Sequence, residues 1–223
     1  MTSQHLSKSR YIAGLQCLRR LWLIEHEPAP YEEPAPGSPM DIGGQIGRKA
    51  HLLFPGGVLV DEPPWRHTEA VARTAALMAD GQVPAIFEAA FEYDNIRIRV
   101  DVLERLADGT WGLREVKSSS GPKDLFARVD VHDPVAARLV DLPNHLQAMR
   151  DCLSMVELPA AEPGSQCGTP YACEFWDRCT AKKPADSTFY LPRLSQASKT
   201  DRDHRRHHAP AHLPKFQNLD EPL

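Results

Sequence analysis

The sequence predicts an α/β domain, and the indication is a change in the spacing of its apolar residues along the chain. Apolar residues recur at the helical period of about 3.6 residues up to residue 80, and then at the strand period of two between residues 85 and 118. A helical pattern returns after residue 135. The length of 223 residues suffices for one domain with a buried core but not for two large ones.

Three helices are predicted ahead of the strands. Residues 6–25 form the first, with Ser7 or Ser9 as its N-terminal cap. Residues 41–53 form the second, which ends at the sequence FPGG. Residues 66–80 form the third and are the most clearly amphipathic segment of the chain. Helices are therefore expected to cover one or both faces of the sheet that follows.

Three strands are predicted next, at residues 85–93, 95–106 and 110–118. A three-residue hairpin loop, Ala107 to Gly109, places residue i opposite residue 216 minus i, with Gly109 at a positive φ. Val100 then lies opposite Val116, and Asp101 lies opposite Glu115. A two-residue turn would put those carboxylates on opposite faces, and the apolar match of the two valines favours the longer loop.

The central strand is predicted to alternate between a core face and a solvent face. The residues expected to face the core are Ile96, Ile98, Val100 and Val102, and those expected to face solvent are Arg97, Arg99 and Asp101. Beyond the strands, residues 135–158 predict a helix that is interrupted at Pro143. The chain becomes polar and rich in His and Arg after Lys183, which predicts a domain over residues 1–183 and a poorly ordered tail over 184–223.

Composition limits the class of protein. A hydrophobic fraction of 42% with 25% charged residues is typical of a globular protein, and no stretch approaches the roughly 20 apolar residues of a membrane span. The first residues lack the uninterrupted apolar run of a secretion signal, so a cytoplasmic location is expected. A net charge of −4 means that a nucleic-acid partner would require a local basic groove.

The predicted hairpin brings Asp101, Glu115 and Lys117 to one face of the sheet. Carboxylates this close together suit Mg²⁺ or Mn²⁺, which can activate a water for phosphodiester hydrolysis while a lysine stabilises developing charge. The alternative is a solvated strand face that carries a simple Lys and Glu pair, because charged residues usually face solvent.

The spacing D-x13-E-x-K, from Asp101 to Glu115 and Lys117, resembles the core of the PD-(D/E)XK nuclease superfamily. The preceding sequence GRKAH resembles the histidine motif of its RecB-like branch, which implies that His51 joins the metal site or its edge. Some relatives carry another acidic residue in the strand before the Asp, where this chain has Glu88. The resemblance implies a restriction-endonuclease-like core, a mixed central sheet flanked by helices, and cleavage of single-stranded DNA or DNA ends.

The block CGTPYACEFWDRC places Cys167, Cys173 and Cys179 at six-residue steps. In the iron-sulfur members of the RecB-like branch, which include CRISPR-associated exonucleases and AddB-type subunits, one cysteine precedes the nuclease core and three follow it. The resemblance therefore implies Cys17 as the fourth ligand of a structural 4Fe-4S cluster that clamps the ends of the domain. Zinc ligation and unligated thiols are the alternatives, although the C-x2-C pairs common in zinc sites are absent.

Other residues receive secondary expectations. The remaining cysteine, Cys152, is expected to be a buried thiol, and Tyr171, Phe175 and Trp176 are expected to shield the cluster. Arg97 and Arg99 either meet DNA phosphates or form structural ion pairs. The similarity to a bacterial family of RecB-like iron-sulfur nuclease domains extends from about Leu6, at the start of LSKSRYIAGLQC, to Cys179.

The chain departs from the RecB-like pattern after the lysine strand. The Gln-x-x-x-Tyr motif of that branch is missing, since Gln147 is followed four residues later by Asp151. The core also looks truncated after Lys123. The alternative function is therefore a catalytically inactive iron-sulfur module that binds nucleic acid or a protein, and a helicase or other protein partner is a further possibility.

Overall fold

The computed structural model describes residues 5–28, 33–117 and 129–184, and over these residues the fold is mixed α/β, with helices flanking an open mixed sheet. The chain divides into two compact units, the first formed by Met1–Tyr11 with Pro28–Leu146 and the second by Ile12–Glu27 with Gln147–Leu223. The predicted tail, apart from Pro184, lies outside the described residues. No helix within the described ranges is long and apolar enough to cross a membrane.

The described residues form strands, α-helices and short 3₁₀ turns. The strands of the described residues are β1 (Leu6–Ser7), β2 (Val58–Leu59), β3 (Ala85–Tyr93), β4 (Ile96–Arg105) and β5 (Trp111–Arg114). The α-helices of the described residues are α1 (Lys8–Gln16), α2 (Leu18–His26), α3 (Pro39–Ala50), α4 (His67–Ala79), α5 (His132–Leu139), α6 (Leu142–Ser154) and α7 (Trp176–Thr180). Single 3₁₀ turns occur at His51–Leu53, Pro64–Arg66 and Ser165–Cys167.

The sheet of the first unit has the order β1-β4-β3-β2, with β5 also paired to β4. β1 is parallel to β4 and β2 is parallel to β3, whereas β3 with β4 and β4 with β5 are antiparallel. Because β3 occupies one edge of β4, both β1 and β5 lie along its other edge. β1 pairs with Ile96 and Arg97 and β5 pairs with the segment from Val102 to Arg105, so among the described residues no strand pairs with residues 98–101 on that edge.

The predicted hairpin register is confirmed over the ladder from Val102 to Arg105, which ends before the predicted pairs Val100 with Val116 and Asp101 with Glu115. Val102 pairs with Arg114 and Leu103 with Leu113, so each pair sums to 216. The loop is closed by the hydrogen bond from Leu106 N to Thr110 O at 2.8 Å, and Gly109 has a φ of 83°. The left-handed conformation of Gly109 fits the three-residue loop that sets this register.

Two details of the predicted strands are wrong. β5 ends at Arg114, so Glu115 to Lys117 leave the ladder instead of continuing the strand to residue 118. The simple alternation of β4 fails because Val100 packs with Leu103 in one core cluster, while Val102 lies in another. Val116 packs against the second cluster, and Ile98 is 38% exposed. The alternation is therefore broken between residues 100 and 102, at Asp101.

The first unit has a core between α4 and the sheet. Apolar side chains of α4 and of the strands fill it, among them Ala70, Ile86, Ala90, Val100 and Leu103. Two polar contacts fix the helix on β3: Ala90 N donates to Thr74 Oγ1 at 2.9 Å, and His67 Nε2 lies 3.2 Å from Phe91 O. Both side chains are buried, and each has the partner that burial requires.

The predicted first helix, residues 6–25, is divided in the structure. Residues 6 and 7 form β1, Ser7 Oγ accepts from Arg10 N at 3.3 Å as the predicted cap, and the helix is broken at Cys17. Cys17 is extended, with φ −167° and ψ 121°. No Gly or Pro occurs at the break, so the sequence offered no sign of it. α2 then buries Leu21, Trp22 and Leu23 in the second unit.

The second unit packs α1 closely against α6. A Cβ at Gly14 would lie 2.7 Å from the Met149 side chain, so any larger residue there would require the methionine to move. Pro143 lies in the first turn of α6, where a proline is tolerated, so the predicted interruption is a helix start. The predicted truncation after Lys123 falls within residues 118–128, outside the described ranges.

Candidate functional site

Asp101 lies in β4 just beyond Val102 and Arg114, the last pair of the described hairpin ladder. Its Oδ2 accepts a hydrogen bond from Val116 N at 2.6 Å. The carboxylate therefore replaces the backbone acceptor that a continued ladder would have supplied. This contact orients Asp101 and holds the segment from Glu115 to Lys117 beside it.

Glu115 lies between two lysines. Its Oε1 accepts from Lys117 Nζ at 2.5 Å and also from Lys8 Nζ. Burial alone would raise the pKa of Glu115, but the hydrogen bonds and charges of Lys117 and Lys8 outweigh it and hold the pKa below its usual value. Glu115 and Lys117 are thus close together, as the D-x13-E-x-K spacing predicts.

Lys8 is the residue of this site that the sequence analysis missed. It is the first residue of α1 and directly follows β1, whose parallel pairing with β4 brings it to the same edge as β5. Lys8 is 107 residues from Glu115 in sequence, and a two-residue strand has no detectable periodicity, so no local pattern predicts the contact.

Glu88 lies in β3 at the position opposite Asp101, between the pairs Phe87 with Val102 and Ala89 with Val100. Its φ of 54° is rare for a residue other than glycine, and such backbone strain is concentrated at functional sites. Burial and then the negative charge of Asp101 raise the pKa of Glu88, while Arg99 and Lys8 oppose the rise. Glu88 is therefore part of the same electrostatic cluster as Asp101 and Glu115.

His51 lies at the edge of this cluster. It begins the 3₁₀ turn after α3, and its ring stacks on Phe87 with a centroid distance of 3.9 Å and an angle of 7°. Burial and then Arg48 lower the pKa of His51, and the carboxylate of Asp101 partly opposes them. His51 therefore lies within electrostatic range of Asp101.

The two arginines of β4 have structural partners. Arg97 Nε donates to Glu92 Oε2 at 3.0 Å. Arg99 donates to the backbone carbonyls of Val60 at 3.3 Å and Glu62 at 2.6 Å. Of the two interpretations offered by the sequence, these contacts favour the structural one.

The chemistry of the first site is that of a carboxylate cluster with two ammonium groups. Its oxygen donors, Glu88, Asp101 and Glu115, are of the type that Mg²⁺ and Mn²⁺ prefer. Within the described ranges, however, no three His, Cys, Asp or Glu side chains are arranged to hold a metal ion. These carboxylates are chemically suited to such an ion, but in this structure Glu115 is bound by Lys8 and Lys117.

The second candidate site lies in the second unit, where Cys17, Cys167, Cys173 and Cys179 line one cavity. Cys17 occupies the extended break between α1 and α2, Cys167 ends a 3₁₀ turn, and Cys179 lies in α7. Cys173 N donates to Cys167 O at 2.8 Å, which holds these two together. All five cysteines are free thiols. The structure thus brings together the four cysteines that the sequence analysis grouped, without the arrangement of a formed metal site.

A polar network connects the two parts of the chain that carry these thiols. Gln16 is buried, and its Nε2 donates to Gln166 O at 2.6 Å and to Tyr171 O at 2.8 Å. Arg20 donates to Gln16 Oε1 at 2.6 Å and to both carboxylate oxygens of Glu174, at 2.9 and 3.3 Å. The network therefore fixes the neighbours of Cys17, Cys167 and Cys173 through side chains other than the thiols.

Burial raises the pKa of the Cys167 and Cys173 thiols, and Arg20 partly opposes this at Cys173. Cys152 is buried as predicted, with its Sγ 3.2 Å from Leu18 O, and does not line the cavity. Phe175 lines the cavity and Trp176 is buried, as expected of shielding residues. Tyr171 is 61% exposed and does not line the cavity.

Comparisons of this chain with protein-family models, with curated proteins and with solved structures find no match. The function must therefore be inferred from the two sites and from the sequence motifs.

Proposed function

We propose that this chain is a metal-dependent DNA nuclease of the RecB-like PD-(D/E)XK type with a structural 4Fe-4S cluster. The observation that carries the proposal is the grouping of Asp101, Glu115 and Lys117 at one sheet edge, beside the strained Glu88. Residues from two strands and the segment after the hairpin meet there although charge repulsion disfavours it. Perturbed pKa values, such as those of Glu88 and Glu115 here, are typical of functional sites.

In this proposal Asp101 and Glu115 hold Mg²⁺ or Mn²⁺, with Glu88 and His51 beside them. The ion would supply Lewis-acid activation of water and of the phosphodiester when bound. Lys117, whose side chain is 73% exposed, orients the attacking water or stabilises charge on the phosphate. DNA, as single strands or ends, is the substrate class implied by the resemblance to RecB-like nucleases.

The cluster proposal is supported by the thiol cavity. Four free thiols from two distant parts of the chain reach the same cavity, and Arg20 places a positive group beside them. Cys17, Cys167, Cys173 and Cys179 would hold the cluster as thiolates, which carry the negative charge that Arg20 offsets. Its role there is structural, since it joins segments far apart in sequence.

The alternative function is a catalytically inactive iron-sulfur module that binds nucleic acid or a protein. One observation favours it: Glu115, a proposed metal ligand, is engaged by both Lys8 and Lys117. The missing Gln-x-x-x-Tyr motif also favours it.

The deciding experiment is anaerobic purification followed by a visible spectrum, an iron assay and incubation with labelled single-stranded DNA and Mn²⁺. We expect Asp101→Ala and Lys117→Ala each to reduce cleavage at least about a hundredfold. Matched controls are Glu69→Ala and Arg73→Ala, which alter exposed residues of α4 and should cleave like the wild type. Iron without cleavage would support the inactive module, and absence of iron would overturn the cluster.

A further inference from the structure

The first unit contains a lysine with no role in the proposed chemistry. Lys8 donates to the same oxygen of Glu115 as Lys117 does, so one carboxylate oxygen has two ammonium partners. Lys8 also acts electrostatically on Glu88, which places it within the range of at least two of the carboxylates.

We propose that Lys8 is a second functional lysine of the carboxylate site. It neutralises Glu115 while no divalent cation is bound, and it binds a phosphate group of the nucleic-acid strand once a cation has taken its place at Glu115. The inference rests on the proposed function, because it requires a cation at Glu115 and a phosphodiester substrate.

The charges around the site support this assignment. The negative charges of Asp101 and Glu115 both act on Glu88, and Arg99, a cation of β4, already donates to two backbone carbonyls. Among the described residues, Lys8 and Lys117 are the cations that meet Glu115 directly. A divalent cation bound to Glu115 would repel both ammonium groups, and the released groups are then available to an anionic substrate.

The position of Lys8 also suits a group that moves between two partners. Its backbone is fixed, because Leu6 and Ser7 pair with Ile96 and Arg97 of β4. Its side chain is 47% exposed, so the ammonium group is accessible to a ligand from solvent. Exposed ion pairs contribute little to stability, so a purely structural contact of Lys8 with Glu115 would have only a small effect on folding.

The first test is Mn²⁺ binding without DNA, measured by the electron paramagnetic resonance signal of the free ion. Lys8→Ala removes a competing positive charge, so we expect Mn²⁺ to bind about three- to tenfold more tightly than to the wild type. Lys8→Arg keeps the charge and should bind Mn²⁺ like the wild type, and so should the control Arg73→Ala. An unchanged or weaker affinity in Lys8→Ala would overturn the inference.

The second test is binding of a fluorescent single-stranded oligonucleotide in Ca²⁺, followed by anisotropy over a range of salt concentrations. Lys8→Ala should weaken binding about fivefold or more, and the slope of log affinity against log salt should fall by about 0.7, the value for one phosphate contact on a single strand. Lys8→Arg should restore both quantities. A merely structural lysine would leave both the affinity and the salt slope unchanged, which would overturn the inference.

These measurements separate the failure of this inference from the failure of the proposed function. If the wild type binds Mn²⁺ and DNA but does not cleave DNA, the proposed nuclease activity is overturned, while the two titrations still decide the role of Lys8. If the wild type cleaves DNA and Lys8→Ala binds Mn²⁺ and DNA like the wild type, only the proposed role of Lys8 is overturned. A wild type that binds no Mn²⁺ overturns both.

Discussion

Glu88 has both an unusual backbone conformation and a raised side-chain pKa. A positive φ and a half-buried carboxylate each cost free energy, and both occur at the position opposite Asp101. Structural demands alone do not explain a glutamate here, because a glycine would accept the φ and a neutral side chain would avoid the charge. The retained carboxylate is what a cation site would need.

The raised pKa of Glu88 predicts a pH-dependent effect on stability. The native state holds a proton on Glu88 more tightly than the unfolded state does, so its contribution to stability is lost as pH rises from the usual glutamate value through the raised one. Glu88→Gln removes this loss. We therefore expect the variant to be more stable than the wild type at pH 8 and to lose most of that advantage at pH 4, by urea denaturation without divalent ions.

The control for this measurement is Glu69→Gln on α4, whose exposed carboxylate pairs with Arg66 and should show no such pH-dependent gain. A stability gain in Glu88→Gln that is independent of pH would contradict the electrostatic explanation.

At the level of single residues, the sequence predicted those parts of the site that one hairpin determines. The loop Ala107 to Gly109 sets the register locally, and the register brings Asp101 beside the segment from Glu115 to Lys117 that follows the ladder. Lys8 and the conformation of Glu88 depend on contacts between distant segments or on backbone dihedrals, and neither leaves a periodic signal in the sequence.

At the level of elements, the hairpin loop is the feature on which the site depends. Gly109 adopts a φ of 83°, and any other L-residue there is strained. We predict that Gly109→Ala destabilises the protein by about 1–2 kcal/mol in urea denaturation. The paired control is Gly43→Ala inside α3, where no atom lies within 4 Å of the added Cβ, and it should stabilise by about 0.5–1 kcal/mol.

If Gly109→Ala lowers the stability and Gly43→Ala raises it, dihedral strain at Gly109, and not a general effect of alanine, determines the conformation of the loop. A neutral Gly109→Ala would mean that the loop tolerates another conformation, and the register argument for Asp101 with Glu115 would lose its basis.

The elements that the sequence missed share a physical reason. β1 and β2 have two residues each, too few for an alternating pattern, and their positions depend on pairing with β4 and β3. The break at Cys17 is likewise stabilised by distant contacts, since Gln16 and Arg20 on either side bond to residues after 165. Local propensity is a weak prior, and here tertiary contacts override it.

At the level of the whole molecule, the sequence predicted an α/β fold with helices around a sheet but not the division into two units. Each unit combines an N-terminal segment with a distant one, Met1–Tyr11 in the first and Ile12–Glu27 in the second. Such pairing over more than a hundred residues is determined by packing, for example of Gly14 on Met149, and not by any pattern within either segment.

This division predicts how the molecule responds to loss of its proposed cluster. The four thiols all belong to the second unit. Removal of iron should therefore loosen the packing of Ile12–Glu27 against the segment that begins at Gln147, while the sheet retains its own core. We expect amide hydrogen exchange in residues 12–27 and 147–184 to accelerate at least about tenfold after chelation or in Cys17→Ser. Exchange in β3 and β4 should stay near its original rate.

Cys152→Ala is the matched control, since Cys152 does not line the cavity and the variant should retain iron. Uniform acceleration across both units would instead mean that the cluster stabilises the chain as a single cooperative structure.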